Sequence, residues 1–444
     1  MNKFTLLIDG NYLLYSTLSV MQLFSNKNQM FLKTNDEEIN RKDSNFLLEK
    51  LAQVYAKDIR SLNPIIEDVI FTVDDSNSWR KDLYLSKDYK GLTRMMSLED
   101  RTSTWFHDNK PNRDTVDAFD KLSDEDKTKK LNDLGISKVS NKVLKYKGTR
   151  KKDDSIDFSL IFKTFEGFLK GLAISSGVKF KAIPGCEADD LMFVCASYLN
   201  SIGKSVVIYS GDGDLVQTVG FDKSKNTFTI QYQKQNRKIW IDRETALFLK
   251  QNSKSHSVDC IRSVVGNTSS KLTVANPFEV VLGKVLGGDI SDNIFSVIVE
   301  PRQYKTGIRK GQWKECKVSD SIIKKILEEI ESTKYNVEDL FRSEFRKKLA
   351  SATIRNFKSQ NIYNLDEVEN NVDTNTTLVL LHKDTIPTDL YEAIFDWCEV
   401  VTQKKKCDLK KQFNYKSILE NTPMYDKKAH DNASSASIFK EMGL

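Results

Sequence analysis

Ile183-Pro-Gly-Cys-Glu187-Ala-Asp189-Asp190-Leu191, and further on Tyr209-Ser-Gly-Asp212-Gly-Asp214, decide how this chain is read. Between the two acidic clusters, residues 191–210 read as one helix followed by one buried strand. That order delivers five carboxylates to one end of a sheet. Acids held that close repel one another unless a cation neutralises them. Hard oxygen ligands in such number point to a divalent metal.

Working outward, Phe4 to Ile8 is an apolar run that reads as a buried strand and ends in Asp9-Gly10-Asn11. Val69 to Val73 is a second such run and ends in Asp74-Asp75. Residues 44–61 show helical spacing of Phe46, Leu47, Leu51, Val54, Tyr55 and Ile59. Ile156 to Ser176 reads as a helix and Val178 to Ile183 as a strand closed by Pro184-Gly185. In the helix that follows, which Gly203 closes, Glu187 and Asp190 are three apart and share a face, while Asp189 points elsewhere. Ser205 to Tyr209 is the next strand, and Gly211-Asp212-Gly213-Asp214 allows a tight turn. Each acid alone has a plain alternative: Asp9 as a helix N-cap, Asp212 and Asp214 as turn formers. Together they are far more specific, because ligands of open α/β sheets bind outside the carboxyl ends of the strands. An apolar helix over 278–286 ends in Gly287-Gly288 and leads to Asp289-Ile-Ser-Asp292-Asn293. These two acids read either as further ligands of the same crevice or as a helix N-cap with an acidic first turn. The constellation as a whole reads as a metal-dependent phosphodiesterase acting on nucleic acid.

Composition is consistent with that reading. The 444 residues suggest two to three domains, and 39% hydrophobic with 29% charged content describes a globular chain. Net charge is only +6, but acids gather in the motifs and bases in separate runs. Trp79-Arg80-Lys81-Asp82 follows the second acid, and Tyr89-Lys-Gly-Leu-Thr-Arg94 follows that. Residues 97–140 are polar and read as an insertion, mobile or loosely helical. From 142 to 152 there are six bases, including Lys147, Arg150, Lys151 and Lys152, with Tyr146 among them and no acid. That suits a channel tracking a phosphate backbone, against the plainer reading of a solvated face. Residues 226–241 read as a hairpin. The region 300–400 reads as helical over 319–332, 336–358 and 387–400, interrupted by a strand-like Thr377 to Leu381. From 401 the chain is Lys-rich, and 421–437 reads as unstructured. Six cysteines form no Cys-x-x-Cys pair and histidines number four, which argues against zinc and for a reducing compartment. The first residues do not read as a signal peptide, and no apolar run is long enough to span a membrane.

The ordered set Leu-Ile-Asp9-Gly, Val-Asp74, Gly185-Cys-Glu187-Ala-Asp189-Asp190, Ser-Gly-Asp212-Gly-Asp214 and Gly288-Asp289-Ile-Ser-Asp292-Asn293 resembles the flap endonuclease/5′-nuclease family. Within it, Trp79-Arg80-Lys81-Asp82 and the long helical C-terminal part are most similar to the ribonuclease H-like 5′-exonucleases of T-even-type phages. The resemblance implies an α/β, PIN-like (resolvase-like) core with a central, mostly parallel sheet, a helical arch and a mainly helical C-terminal part. By position it implies one metal cluster of Asp74, Glu187, Asp189 and Asp212, with Asp9 close by. A second would draw on Asp190, Asp214, Asp289 and Asp292. The implied arch contributes Arg80 and Lys81, then Tyr146, Lys147 and Arg150, the last two stabilising charge on the phosphate. Lys151 and Lys152 extend the nucleic-acid surface. Implied domains are a catalytic core over 1–298 with the arch or insertion at about 80–152, a duplex-binding helical domain over 299–400, and a basic flexible tail over 401–444. The chain departs from the pattern in carrying Tyr-Lys-Gly twice, in lacking a recognisable Gly-rich helix-hairpin-helix turn after Asp292, and in its extra segments 97–140 and 401–444.

The implied activity is a 5′–3′ nuclease with RNase H-type activity, cutting RNA primers, 5′ flaps and adjacent DNA during phage-type replication in the host cytoplasm. Two magnesium ions, replaceable by manganese and about 3.5–4 Å apart, would clamp the attacking water and the leaving oxygen. Nucleic acid is the main partner, as flap or nicked DNA or RNA–DNA hybrid, with a single-strand-binding protein as a further one. The C-terminal peptide with Ile438, Phe439 and Leu444 is similar to those that hold a sliding clamp. A monomer off the membrane is expected. The rival readings are a PIN-type ribonuclease, which would lack the arch and the late Asp289/Asp292 pair, and a non-catalytic DNA-binding or replication-scaffold relative, which would lack some of the acids.

Overall fold

The computed structural model describes residues 3–23, 30–62, 65–75, 77–81, 102, 113–134, 155–251, 270–289, 291–292, 294–303, 313–358 and 363–426. The expectations on Tyr89–Arg94, on Tyr146, Lys147, Arg150, Lys151 and Lys152, and on Ile438, Phe439 and Leu444 lie outside these residues. The chain divides into two compact units. The first comprises residues 1–78, 152–280 and 381–444; the second comprises 79–151 and 281–380. The helix Pro277–Gly287 carries the chain from one to the other. This division does not follow the expected boundaries at 298 and 400.

The first unit is built on a sheet whose strands are β1 (Phe4–Asp9), β2 (Ile66–Thr72), β3 (Lys179–Lys181), β4 (Val206–Tyr209), β5 (Gly220–Asp222), β6 (Thr227–Gln233), β7 (Lys238–Asp242) and β8 (Lys271–Ala275). Their order is β3-β2-β1-β4-β6-β7-β8, with β5 beside β6. From β3 to β6 every neighbour is parallel; β7 and β5 run antiparallel to β6, and β8 is parallel to β7. The sheet is therefore mixed α/β and mostly parallel. Strand β1 is buried along its whole length, which is why it reads as a continuous apolar run rather than an alternating one. Leu6 and Ile8 enter a core shared with the helices Gly10–Val20, Glu37–Leu62 and Phe158–Ser176. The helix Ala188–Ser201 lies against β1, β2, β4 and β6. After β1 the chain moves to β2 and β3 on one side, then crosses to β4 on the other. The switch point where such sheets open a crevice thus falls between β1 and β4.

The second unit contains the helices Arg113–Asp120 and Asp124–Asp133, the antiparallel pair β9 (Val299–Gln303) and β10 (Trp313–Lys317), and the helices Asp320–Ile330, Ser343–Phe357 and Leu365–Val379. Two asparagines of the last helix bind backbone carbonyls: Asn371 Nδ2 donates to Val297 O (3.1 Å), and Asn375 Nδ2 to Val285 O (2.8 Å) at the end of the helix Pro277–Gly287 and to Phe295 O (2.7 Å). Gly288 sits at φ +76°, where a Cβ would press within 2.6 Å of the Phe295 and Ser296 backbone.

Two expectations are corrected. Thr377 to Leu381 is not a strand: the helix Leu365–Val379 takes in its first part, because Leu378 and Val379 complete an apolar helical face that begins at Val368 and Val372. Residues 401–426 are not a loose tail, and 421–426 are not unstructured. Cys407 N donates to Asp68 Oδ1 (3.0 Å), Tyr55 OH to Gln412 Oε1 (2.5 Å), and Asp426 receives Arg41 (3.1 Å). Asp68 also takes both hydrogen bonds of the buried Lys179 ammonium, at 2.8 and 2.7 Å. Removing one partner of a buried pair leaves an uncompensated charge. Asp68→Ala is expected to cost roughly 3–5 kcal/mol of stability, read from urea unfolding; a loss below about 1 kcal/mol would contradict the pairing.

Candidate metal centre

Each acid of the first unit is placed by an element end. Asp9 closes β1 and is the N-cap of the helix Gly10–Val20, its Oδ1 accepting from Tyr12 N (3.0 Å). It is therefore both the cap and the strand-end acid between which the sequence left a choice. The register pairs Ile8 with Tyr209, so the next residue on each strand meets its neighbour. Ser210 Oγ accordingly donates to Asp9 Oδ2 (2.8 Å) and accepts from Asp212 N (3.1 Å). Asp214 N in turn donates to Asp212 Oδ1 (2.8 Å). Gly211 is required by close approach: a Cβ there would lie 2.5 Å from the Tyr12 ring.

Asp74 follows β2. Its Oδ1 accepts from Ala188 N (2.6 Å), the first residue of the helix Ala188–Ser201, and its Oδ2 from Asn11 Nδ2. Asp75 accepts from Gly185 N (3.0 Å), while its own amide donates to Cys186 O (3.0 Å). These bonds tie the first acidic motif to the end of β2. Glu187 is the helix N-cap and Asp190 accepts its amide at 3.3 Å, one half of a capping box. Glu187 and Asp190 are buried; Asp189 is half-buried, and Asp74 and Asp212 are exposed. Two helix N-termini thus face the acid cluster, and their first-turn amides, which have no partner within the helix, favour negative charge there.

The charges are coupled. Asp9 is pushed up to about 7, first by burial and next by the Asp74 carboxylate, with Asp212 adding to it; the hydrogen bonds from Tyr12 and Ser210 oppose the rise. A carboxyl that holds its proton to neutrality because it is buried and faces two other acids is one whose ionised form an added cation would favour. The donor set is carboxylate throughout, which suits a hard divalent ion such as magnesium or manganese.

Asp289 and Asp292 belong to the second unit. Asp289 accepts from Lys284 Nζ (2.6 Å), Ser291 Oγ (2.5 Å) and Ser291 N (2.8 Å). Burial raises its carboxyl, but the Lys284 and Ser291 hydrogen bonds outweigh that and hold it down at about 2. Arg80 is almost wholly buried in the same unit, stacked on Trp79 with Nε on Leu378 O (3.1 Å), whereas a phosphate-contacting arginine was expected there; Lys81 is half-buried. Sequence reasoning missed Asn11, Ser210 and Asp75. Their signal was adjacency to the acids, but neither Asn nor Ser at a turn is distinctive.

A raised folded-state carboxyl stabilises fully below its unfolded value of about 3.9, and that stability is lost as pH rises through about 7. The metal-free protein is therefore expected to melt at progressively lower temperature from pH 5 to pH 8. Asp9→Asn should flatten this slope and raise the melting temperature at pH 8. Calorimetry in a chelator reads both, and an unchanged slope in the variant would refute the assignment.

No protein-family model matches the chain, and no curated protein matches it significantly. Among solved structures it is similar to several from bacteriophage T5. One is a T5 protein co-crystallised with metal ions (14% identity, TM-score 0.40). Another is T5 5′-exonuclease with divalent metal ions (zinc) bound (13%, 0.39). A third is a T5 flap endonuclease in a pseudo-enzyme–product complex with DNA and metal ions (13%, 0.38). Each similarity covers 90% of this chain and 100% of the other.

Proposed function

We propose that this chain is a metal-dependent 5′ nuclease that hydrolyses phosphodiesters near 5′ ends, with 5′ flaps and RNA–DNA hybrid as substrates. The observation that carries the reading is the placement of Asp9, Asp74 and Asp212 at the carboxyl ends of β1, β2 and β4, beside the switch point of a mostly parallel sheet. Those three, with Asp214 two residues beyond Asp212 and Asp189 next to the Ala188 that binds Asp74, would hold two divalent ions, magnesium by preference. Bound there, the ions would polarise the attacking water and the leaving oxygen. The chain's own share is to hold the acids in fixed positions. Ser210 orients Asp9 and Asp212 together, and Asn11 and the Ala188 amide orient Asp74. Lys147 and Arg150, in the basic run before Glu187, would stabilise charge on the phosphate, and Tyr146, Lys151 and Lys152 would track the strand. Asp289, Asp292, Lys81 and the clamp-type peptide with Ile438, Phe439 and Leu444 keep the roles that the family resemblance gives them.

The test is digestion of 5′-labelled flap DNA and of RNA–DNA hybrid, with and without magnesium. Short 5′ products are expected only with metal. Asp212→Asn should cut cleavage by at least about a hundredfold, since even groups that merely support metal ligands cost 10–100-fold, while flap DNA binding persists. Metal-independent cleavage, or a fully active Asp212→Asn, would sink the reading.

A further inference from the structure

Strand β6 runs beside β4, pairing Gln231 with Ile208, and presents Gln231 and Gln233 on one face, two residues apart. Gln231 is fully buried and Gln233 nearly so. Gln231 Nε2 donates to Ser210 O (3.3 Å) and Asp212 O (2.6 Å), and Gln233 Nε2 donates to Gly211 O (3.3 Å). Two side-chain amides thus take the carbonyls of three consecutive loop residues.

The orientation of both amides is dictated by their surroundings. Gln233 Oε1 accepts from Trp240 Nε1 (2.8 Å), so its nitrogen must face Gly211. A flipped Gln231 would aim its oxygen at two carbonyl oxygens. As placed, its Oε1 is buried with no hydrogen-bond partner among the described residues. An unsatisfied buried acceptor is unfavourable, and an apolar side chain of the same length would avoid it. What Gln231 supplies in return is its pair of N–H donors at the loop that carries Asp212. With the carbonyls drawn to β6, the loop amides turn the other way: Asp212 N meets Ser210 Oγ, and Asp214 N meets the Asp212 carboxylate.

We propose that Gln231 and Gln233 are positioning residues for the metal centre, holding the 210–212 backbone so that the Asp212 carboxylate is presented to a divalent cation. This rests on the metal-dependent reading of the site and goes beyond it by naming side chains of a neighbouring strand that carry no charge.

The experiment compares Gln231→Met and Gln233→Met, which keep length but remove the donors, with the parent chain and Asp212→Asn. Mn2+ affinity is measured from the electron paramagnetic resonance signal of free Mn2+, with metal-free melting temperature and flap DNA cleavage alongside. Expected is at least about tenfold weaker Mn2+ binding in Gln231→Met, as for other residues that orient metal ligands. Its metal-free melting temperature should be unchanged or higher, and cleavage lost at limiting Mn2+ should return at saturating Mn2+. Gln233→Met should show the same pattern, and supplies the test if Gln231→Met does not fold. Parent-like Mn2+ affinity in the glutamine variants, with binding lost in Asp212→Asn, would overturn this inference alone. A parent chain that binds no Mn2+ would overturn the metal reading and this inference with it.

Discussion

The constraint on which the first unit depends is the repulsion among carboxylates gathered at one end of its sheet. The fold meets part of it without a cation. Asp9 caps one helix, Asp74 binds the first amide of another, and Asp190 caps the latter from within. Each acid is thus paired with backbone N–H groups at a helix N-terminus, where the dipole favours negative charge. Those pairings do not discharge the cluster, because Asp9 still holds its proton up to about 7. The remainder is what a divalent ion would neutralise.

Geometry this exacting needs a stiff base. Beneath the 210–214 loop, Tyr12 and Tyr232 each pack against Tyr209 with ring centroids 5.5 Å apart. Tyr209 OH donates to Asp58 Oδ2 (2.6 Å), and Lys234 Nζ reaches both oxygens of the same carboxylate (2.6 and 2.8 Å). Burial and the Asp58 charge push the Tyr209 hydroxyl well up, so it stays a donor. The aromatic row is therefore locked to the helix Glu37–Leu62 by a charge-assisted bond, which is stronger than a neutral one. Gly211 can lie against Tyr12 only because it carries no Cβ.

The strands that deliver the acids were legible because parallel strands covered on both faces carry unbroken apolar runs, as Phe4–Ile8, Val69–Val73 and Ser205–Tyr209 do. The hairpin at 226–241 was legible from alternation and its polar turn, and is the pairing of β6 with β7. What escaped was set by tertiary partners. Thr377–Leu381 has strand-like residues, but Leu378 and Val379 complete a helical face with Val372 and Val368, about two and three turns earlier. The segment after 401 reads as a tail because lysines dominate it, yet a few buried groups pin it: Cys407, Gln412, Ile418 and Leu419. Composition weighs every residue equally, whereas docking is decided by the handful that are buried. At the site the acids were visible and their supports were not. Ser210, Gln231 and Gln233 act through register between strands that are distant in sequence, and no local spacing encodes that.

Exposure then divides the acids by task. Asp190 and Glu187 are buried at the start of their helix, where Asp190 accepts the Glu187 backbone amide. Asp74 and Asp212 are exposed, and Asp189 is half-exposed. A hydrated cation keeps several waters and dehydrates reluctantly, so it is best served by carboxylates that reach solvent while their backbone is fixed. The loops of the two exposed acids carry supporting bonds, from Asn11 and Ala188 on one side and from Ser210, Gln231 and Gln233 on the other. Glu187 and Asp190 shape the helix terminus, whereas Asp74 and Asp212 are open to solvent. The motif Glu-x-Asp-Asp thus joins a helix-capping pair, Glu187 and Asp190, to a half-buried Asp189, so its three carboxylates stand in different surroundings.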